Sequence, residues 1–134
     1  MKKKTVIILV ITAALIVMGY SFYNSIFPKA KTIKVPAGNE VTSMTLIEGN
    51  KEYPIDLSQY EKLKDFLDKA VPTRKQSVND TPNVSPYYRI DIKTGSRVLT
   101  VYIYEQGVGT YIEIPYEGIY RSDKGLMEYV KEQN

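Results

Sequence analysis

The chain falls into an unbroken apolar run followed by segments in which apolar and polar positions alternate. Residues 5–27 (TVIILVITAALIVMGYSFYNSIF) are 23 positions without a charged side chain. At about 1.5 Å per helical residue, such a run crosses a hydrocarbon core of roughly 30 Å. Lys2, Lys3 and Lys4 precede it, and Tyr20, Phe22 and Tyr23 fall at its far end, where interfacial aromatics belong. The pattern predicts a single-pass helix in the cell membrane, with the N-terminus cytoplasmic and the C-terminal part outside. Lys29, Lys31 and Lys34 weaken this charge asymmetry without reversing it. The alternative is a secreted product, cleaved near Ser21 at the small-x-small site Gly19-Tyr20-Ser21. The apolar run continues past that site, which favours the anchor.

Residues 1–30 are therefore set apart as the anchor, leaving 31–134 as one extracytoplasmic domain large enough for a modest core. Residues 32–36 (TIKVP) read as a short strand or a linker entering one. Residues 41–48 (VTSMTLIE) read as a strand, Gly49-Asn50 as a tight turn, and 51–56 as the returning partner, with Pro54 marking an edge. Ser58-Gln59-Tyr60-Glu61 has the spacing of a capping box, and Leu63, Phe66, Leu67 and Ala70 recur at helical spacing behind it. A polar, proline-punctuated loop then runs over residues 73–86.

Three alternating segments follow, at 87–93, 97–105 and 110–115. A type II′ turn at Gly95-Ser96 sets Ile92 opposite Leu99, Ile90 opposite Val101 and Tyr88 opposite Ile103. The turn over 106–109 sets Ile103 opposite Ile112 and Val101 opposite Ile114. All of these residues share one face, and a slip of one position would destroy the agreement. Ile119 and Tyr120 extend the meander. A last helix over 124–133, capped by Ser122 or Asp123, turns Leu126, Met127 and Val130 inward. The predicted order is β-β-β, α, β-β-β, α: an α+β domain, with an antiparallel sheet and two helices on one face.

Charge changes the picture only once it is located. The net charge is +3, yet four of the 18 basic residues lie in the first thirty positions and all 15 acidic ones lie beyond, so the domain carries 14 basic against 15 acidic side chains. Nucleic acid is excluded as an expected partner, because binding it requires a basic surface. The chain has no Cys and no His. Disulfides, lipid-modified cysteine, Cys/His zinc sites, and Ser-His-Asp or Cys-His catalysis are all impossible in it. No Gly-rich phosphate loop and no Ser-x-x-Lys motif is present. Glu113 and Glu117 flank Pro115-Tyr116 with nothing else to mark them as a catalytic pair. No catalytic residue, metal ligand or cofactor is assigned.

The opposite face of the meander supplies the candidate site. It carries Tyr87, Arg89 and Asp91, then Thr100, Tyr102 and Tyr104, then Tyr111 and Glu113. Eight of the 12 tyrosines lie at or beyond position 87. Tyrosine with one arginine is the composition of a contact surface, so Tyr87, Arg89, Tyr102, Tyr104, Tyr111 and Glu113 are the expected binding residues. The competing reading is that tyrosine simply suits a pleated, half-exposed sheet. In the loop, Asn79 and Asp80 are candidates for a ligand or cation, against the commoner role of shaping the loop through Asx-turns. Asp80 alone supplies too few oxygens for calcium.

The segments Ser77-Val78-Asn79-Asp80-Thr81-Pro82 and Tyr111-Ile112-Glu113-Ile114-Pro115-Tyr116-Glu117-Gly118-Ile119-Tyr120 resemble a Gram-positive bacterial family of uncharacterised extracytoplasmic domains, often carried behind a signal or lipid anchor. The resemblance covers about residues 32–132. It implies a small α+β module outside the membrane, with no activity to carry over. Lacking a cysteine after its apolar run, this chain departs from the lipid-anchored members, so a helix must anchor it. The expected function is a membrane-held binding or accessory module of the cell envelope, not an enzyme, facing an envelope protein or wall polymer. An inhibitory or structural partner of another membrane protein is the alternative, and an envelope-acting enzyme comes third.

Overall fold

The apolar run is one continuous helix, α1 (Lys2–Ile26), and none of its residues is buried. This is a computed structural model, and it describes residues 2–134. The chain then forms β1 (Val41–Glu48), β2 (Lys51–Ile55), α2 (Tyr60–Lys69), β3 (Val71–Pro72), β4 (Tyr88–Thr94), β5 (Val98–Gln106), β6 (Gly109–Ile114), β7 (Gly118–Ser122) and α3 (Gly125–Lys131). The strands make one antiparallel sheet in the order β2-β1-β4-β5-β6-β7-β3. The α+β class is as the sequence predicts.

The meander register also holds. Ile92 faces Leu99, Ile90 faces Val101, Tyr88 faces Ile103, and Ile103 in turn faces Ile112. The turn at Gly95-Ser96 closes with Thr94 N–H donating to the Arg97 carbonyl. Gly95 is not among the residues with positive φ, however, so the turn is not type II′. The alternation of the strands, more than the turn geometry, holds the register. Pro54 lies opposite Thr45 on β2, which is an edge strand where a missing N–H costs no ladder bond.

Both domain helices pack on the aliphatic face. Leu63 and Leu67 from α2, with Leu126, Met127 and Val130 from α3, bury against Met44, Leu46, Ile90, Ile92, Val101, Ile103 and Ile112. Each such side chain contributes about 1.5–3 kcal/mol by leaving water.

Four local expectations are corrected or decided between alternatives. Of the two readings of residues 32–36, the linker holds and the strand does not. These residues belong to a strap held by Ala30 N–H on the Thr73 carbonyl (3.0 Å), by Tyr120 Oη on the Lys31 carbonyl (2.6 Å) and by the buried Ile33. Ser58 does not cap α2. It sits in a 3-10 turn (Leu57–Gln59) whose Ser58 N–H donates to Asp56 Oδ1 at 2.7 Å. Asp56 caps that turn with this single bond, and no side chain caps α2 itself. Residues 119–120 belong to a full strand, β7, and residues 71–72 pair with it as β3, Val71 opposite Arg121. At the last helix, Asp123 Oδ1 accepts from Gly125 N–H at 2.7 Å, settling the choice between Ser122 and Asp123.

Candidate functional site

The alternation that sends Ile90, Val101 and Ile112 to the helices sends Arg89, Tyr102, Tyr104, Tyr111 and Glu113 to the other face. Arg89 lies opposite Tyr102, Tyr102 opposite Glu113, and Tyr104 opposite Tyr111. The predicted residues do share one face. That face is not open. Tyr102 is 4% exposed, Tyr104 2% and Glu113 5%.

The cover is the loop between β3 and β4, which folds back across the sheet. Ser77, itself buried, donates its hydroxyl to Glu113 Oε1 at 2.7 Å, and Tyr104 donates to Glu113 Oε2 at 3.2 Å. Lys75 Nζ sits 4.9 Å from the centre of the Tyr111 ring, and Tyr111 stacks on Tyr104 at 5.9 Å. Just before β4, the half-buried Tyr87 meets the Tyr102 ring edge-on at 5.3 Å. Burial, and then the Glu113 carboxylate, push the Tyr104 phenol well above its usual range, so it remains a donor.

Arg89 is half-buried and grips Asp91 with two hydrogen bonds of 2.8 Å, and Thr100 adds a third to the same carboxylate at 3.0 Å. The hydrogen bond to Asp91 raises the Arg89 pKa still further. A bidentate pair reinforced by a hydroxyl is a rigid structural unit.

Asn79 and Asp80 are exposed and engaged locally. Asn79 Nδ2 donates to Asn83 Oδ1 at 3.0 Å, and Asp80 Oδ1 accepts from the Tyr116 hydroxyl at 2.7 Å. Glu113 and Glu117 are not brought together. Glu113 lines a cleft of about 260 Å³ under the loop, with Lys75, Asn79, Asn83 and Tyr104, whereas Glu117 lines other clefts around the Pro115–Glu117 turn. Among the described residues no group of three or more His, Cys, Asp or Glu side chains is placed to hold a metal ion.

The expectation of an exposed tyrosine surface is thus corrected for Tyr102, Tyr104 and Glu113, while Tyr87, Arg89 and Tyr111 remain half-exposed at its rim. Sequence reasoning passed over Ser77, and it gave no role to Tyr116, which holds a left-handed backbone (φ 62°) with its ring exposed. The signal available was the loop itself. A 14-residue polar connection beside a face bearing two carboxylates has the length and the donors to cover it.

These features define a small α+β domain, a seven-stranded sheet clad by two helices on one side and by its own loop on the other, carried behind an apolar helix. Residues 29–121 match the family model DUF5301, described as a domain of unknown function (DUF5300), and the chain belongs to that family. An NMR structure of a protein from Ruminococcus gnavus is similar, with 30% identity and a TM-score of 0.56 over 68% of this chain and 91% of that one. No curated protein matches.

Proposed function

We propose that this chain is a membrane-anchored extracytoplasmic accessory module of the cell envelope, working by contact and not by catalysis. The observation that carries it is α1. It is long and apolar enough to span a bilayer, and no residue of it is buried against the domain. A helix apolar all round with no protein to cover it calls for lipid. The lysines before the helix orient residues 31–134 outward. The resemblance to extracytoplasmic domains of Gram-positive bacteria supports the same placement. The non-catalytic reading draws on the polar face, where Glu113 and Asp91 each have their oxygens engaged by donors of the fold. An envelope protein or wall polymer is the partner this reading implies.

Protease added to intact protoplasts is expected to digest residues 31–134 and leave the anchor. A protected domain would overturn the orientation, and a shortened product in the medium would show cleavage near Ser21 instead.

A further inference from the structure

The segment that leaves α1 does not trail as a free tether. The strap bonds at Ala30 and Lys31, with Ile33 buried, fix its backbone against the sheet. Between this strap, the start of the 73–87 loop and the Pro115–Glu117 turn lies a cleft of about 720 Å³. Lys29, Lys31 and Lys34 line it, all exposed, and none of them forms an ion pair among the described residues. Lys75 also reaches it, although its ammonium leans on the Tyr111 ring, and Glu117 is the one carboxylate on the lining.

Two exposed apolar side chains share the same cleft: Val78, 62% exposed, and Tyr116, 66% exposed. Ammonium groups carried on a fixed backbone beside an exposed valine and a tyrosine make up a surface that sits at a membrane–water boundary. Position agrees with chemistry. Lys29 lies three residues beyond the end of α1, at most about 11 Å of extended chain. The field of an anionic bilayer decays over a screening length of about 8 Å at physiological salt.

We propose that this cleft seats on the bilayer that holds α1, with Lys29, Lys31 and Lys34 taking the phosphodiester anions of acidic phospholipid headgroups and Tyr116 and Val78 resting at the interface. Arg74 holds the end of α1 against the domain. It donates to the Phe27 carbonyl and to Asn24 Oδ1, and its guanidinium lies 4.7 Å from the Tyr23 ring centre, clamping the end of the anchor to the domain. This inference rests on the membrane reading of α1 and adds the ligand that the domain itself binds.

The test is lipid retention by the full chain purified in mild detergent, read by native mass spectrometry after adding phosphatidylglycerol or phosphatidylcholine. Wild type is expected to keep phosphatidylglycerol at least tenfold better. The triple variant Lys29→Gln, Lys31→Gln, Lys34→Gln is expected to lose that preference, at roughly fivefold per lysine. A variant with the same charge change elsewhere, Lys51→Gln, Lys93→Gln, Lys131→Gln, is expected to keep it. Equal retention of the two lipids by wild type, or equal losses in the two triple variants, overturns the proposal. Soluble poly(glycerol phosphate) displacing the lipid at matched phosphate concentration overturns it as well, by making a free polymer the ligand. In parallel, wild type that fails to float with vesicles of any composition overturns the anchor along with the cleft, whereas flotation combined with equal retention of the two lipids overturns the cleft alone.

Discussion

Tyr104 shows how far a residue's role depends on what covers it. In a solvated sheet face its truncation would remove only cross-strand contacts, about 0.2–1 kcal/mol. Here the ring is buried under the loop, stacked on Tyr111, with its hydroxyl on Glu113. Tyr104→Ala is therefore expected to cost about 3–5 kcal/mol, comparable to the roughly 2–5 kcal/mol expected for Ile103→Ala on the opposite face. Urea unfolding of the full chain in detergent measures both. A Tyr104→Ala loss below about 1 kcal/mol would mean that the loop stands off the sheet. The stacked, satisfied phenol also explains why tyrosine enrichment misled. The same residue type serves an open contact surface and a closed polar core, and only the second requires its oxygen to be matched.

At the scale of elements, two tyrosines tie the helices down. Tyr60 at the start of α2 donates to the Pro36 carbonyl, and Tyr129 on α3 donates to the Gln59 carbonyl at 3.4 Å. Burial raises both pKa values to about 12, with Glu61, Asp68 and Glu40 adding to the effect at Tyr60. In the unfolded chain the phenol titrates near 10, at about the ordinary tyrosine value. The folded state thus holds the proton more tightly. The stability this supplies is complete below about pH 10 and is lost as the pH rises through about 12. Stability is expected to fall across that window. The Tyr60→Phe, Tyr129→Phe double variant should start lower, by about 0.5–1.5 kcal/mol per lost hydrogen bond, and fall less steeply. Urea midpoints at intervals from pH 8 to 12 check this, and parallel slopes would refute it.

Over the whole molecule, the core draws nothing from α1. Its buried members begin at Ile33, and Arg74 holds the end of α1 to the domain. Residues 31–134 made alone are expected to fold without metal or cofactor, giving mixed helix and strand circular dichroism and a cooperative melt. A disordered spectrum, or structure gained only on adding a metal, would show that the domain needs something besides its own core.

Whatever has a local period was legible in the residues alone. A run of 23 uncharged, mostly apolar residues is, as a helix, long enough to cross a bilayer wherever it sits. Alternation at 90, 92, 101, 103 and 112 sets register and core face together, because a one-residue slip inverts every side chain. Leu63 and Leu67, and Leu126 and Val130, mark their helices in the same way. Tertiary structure alone decided what lacks a period. The loop at 73–87 reads as a solvated connection, and only its return across the sheet converts Tyr102, Tyr104 and Glu113 from a candidate surface into a second, polar core. Residues 32–36 have strand-like composition, yet the edge beside β7 goes to Val71–Pro72, and the strap supplies Ile33 and three lysines instead. The physical reason is the same in both cases. Burying a carboxylate requires donors brought from far along the chain, and nothing in the spacing of Ser77 records that it will meet Glu113 36 positions later.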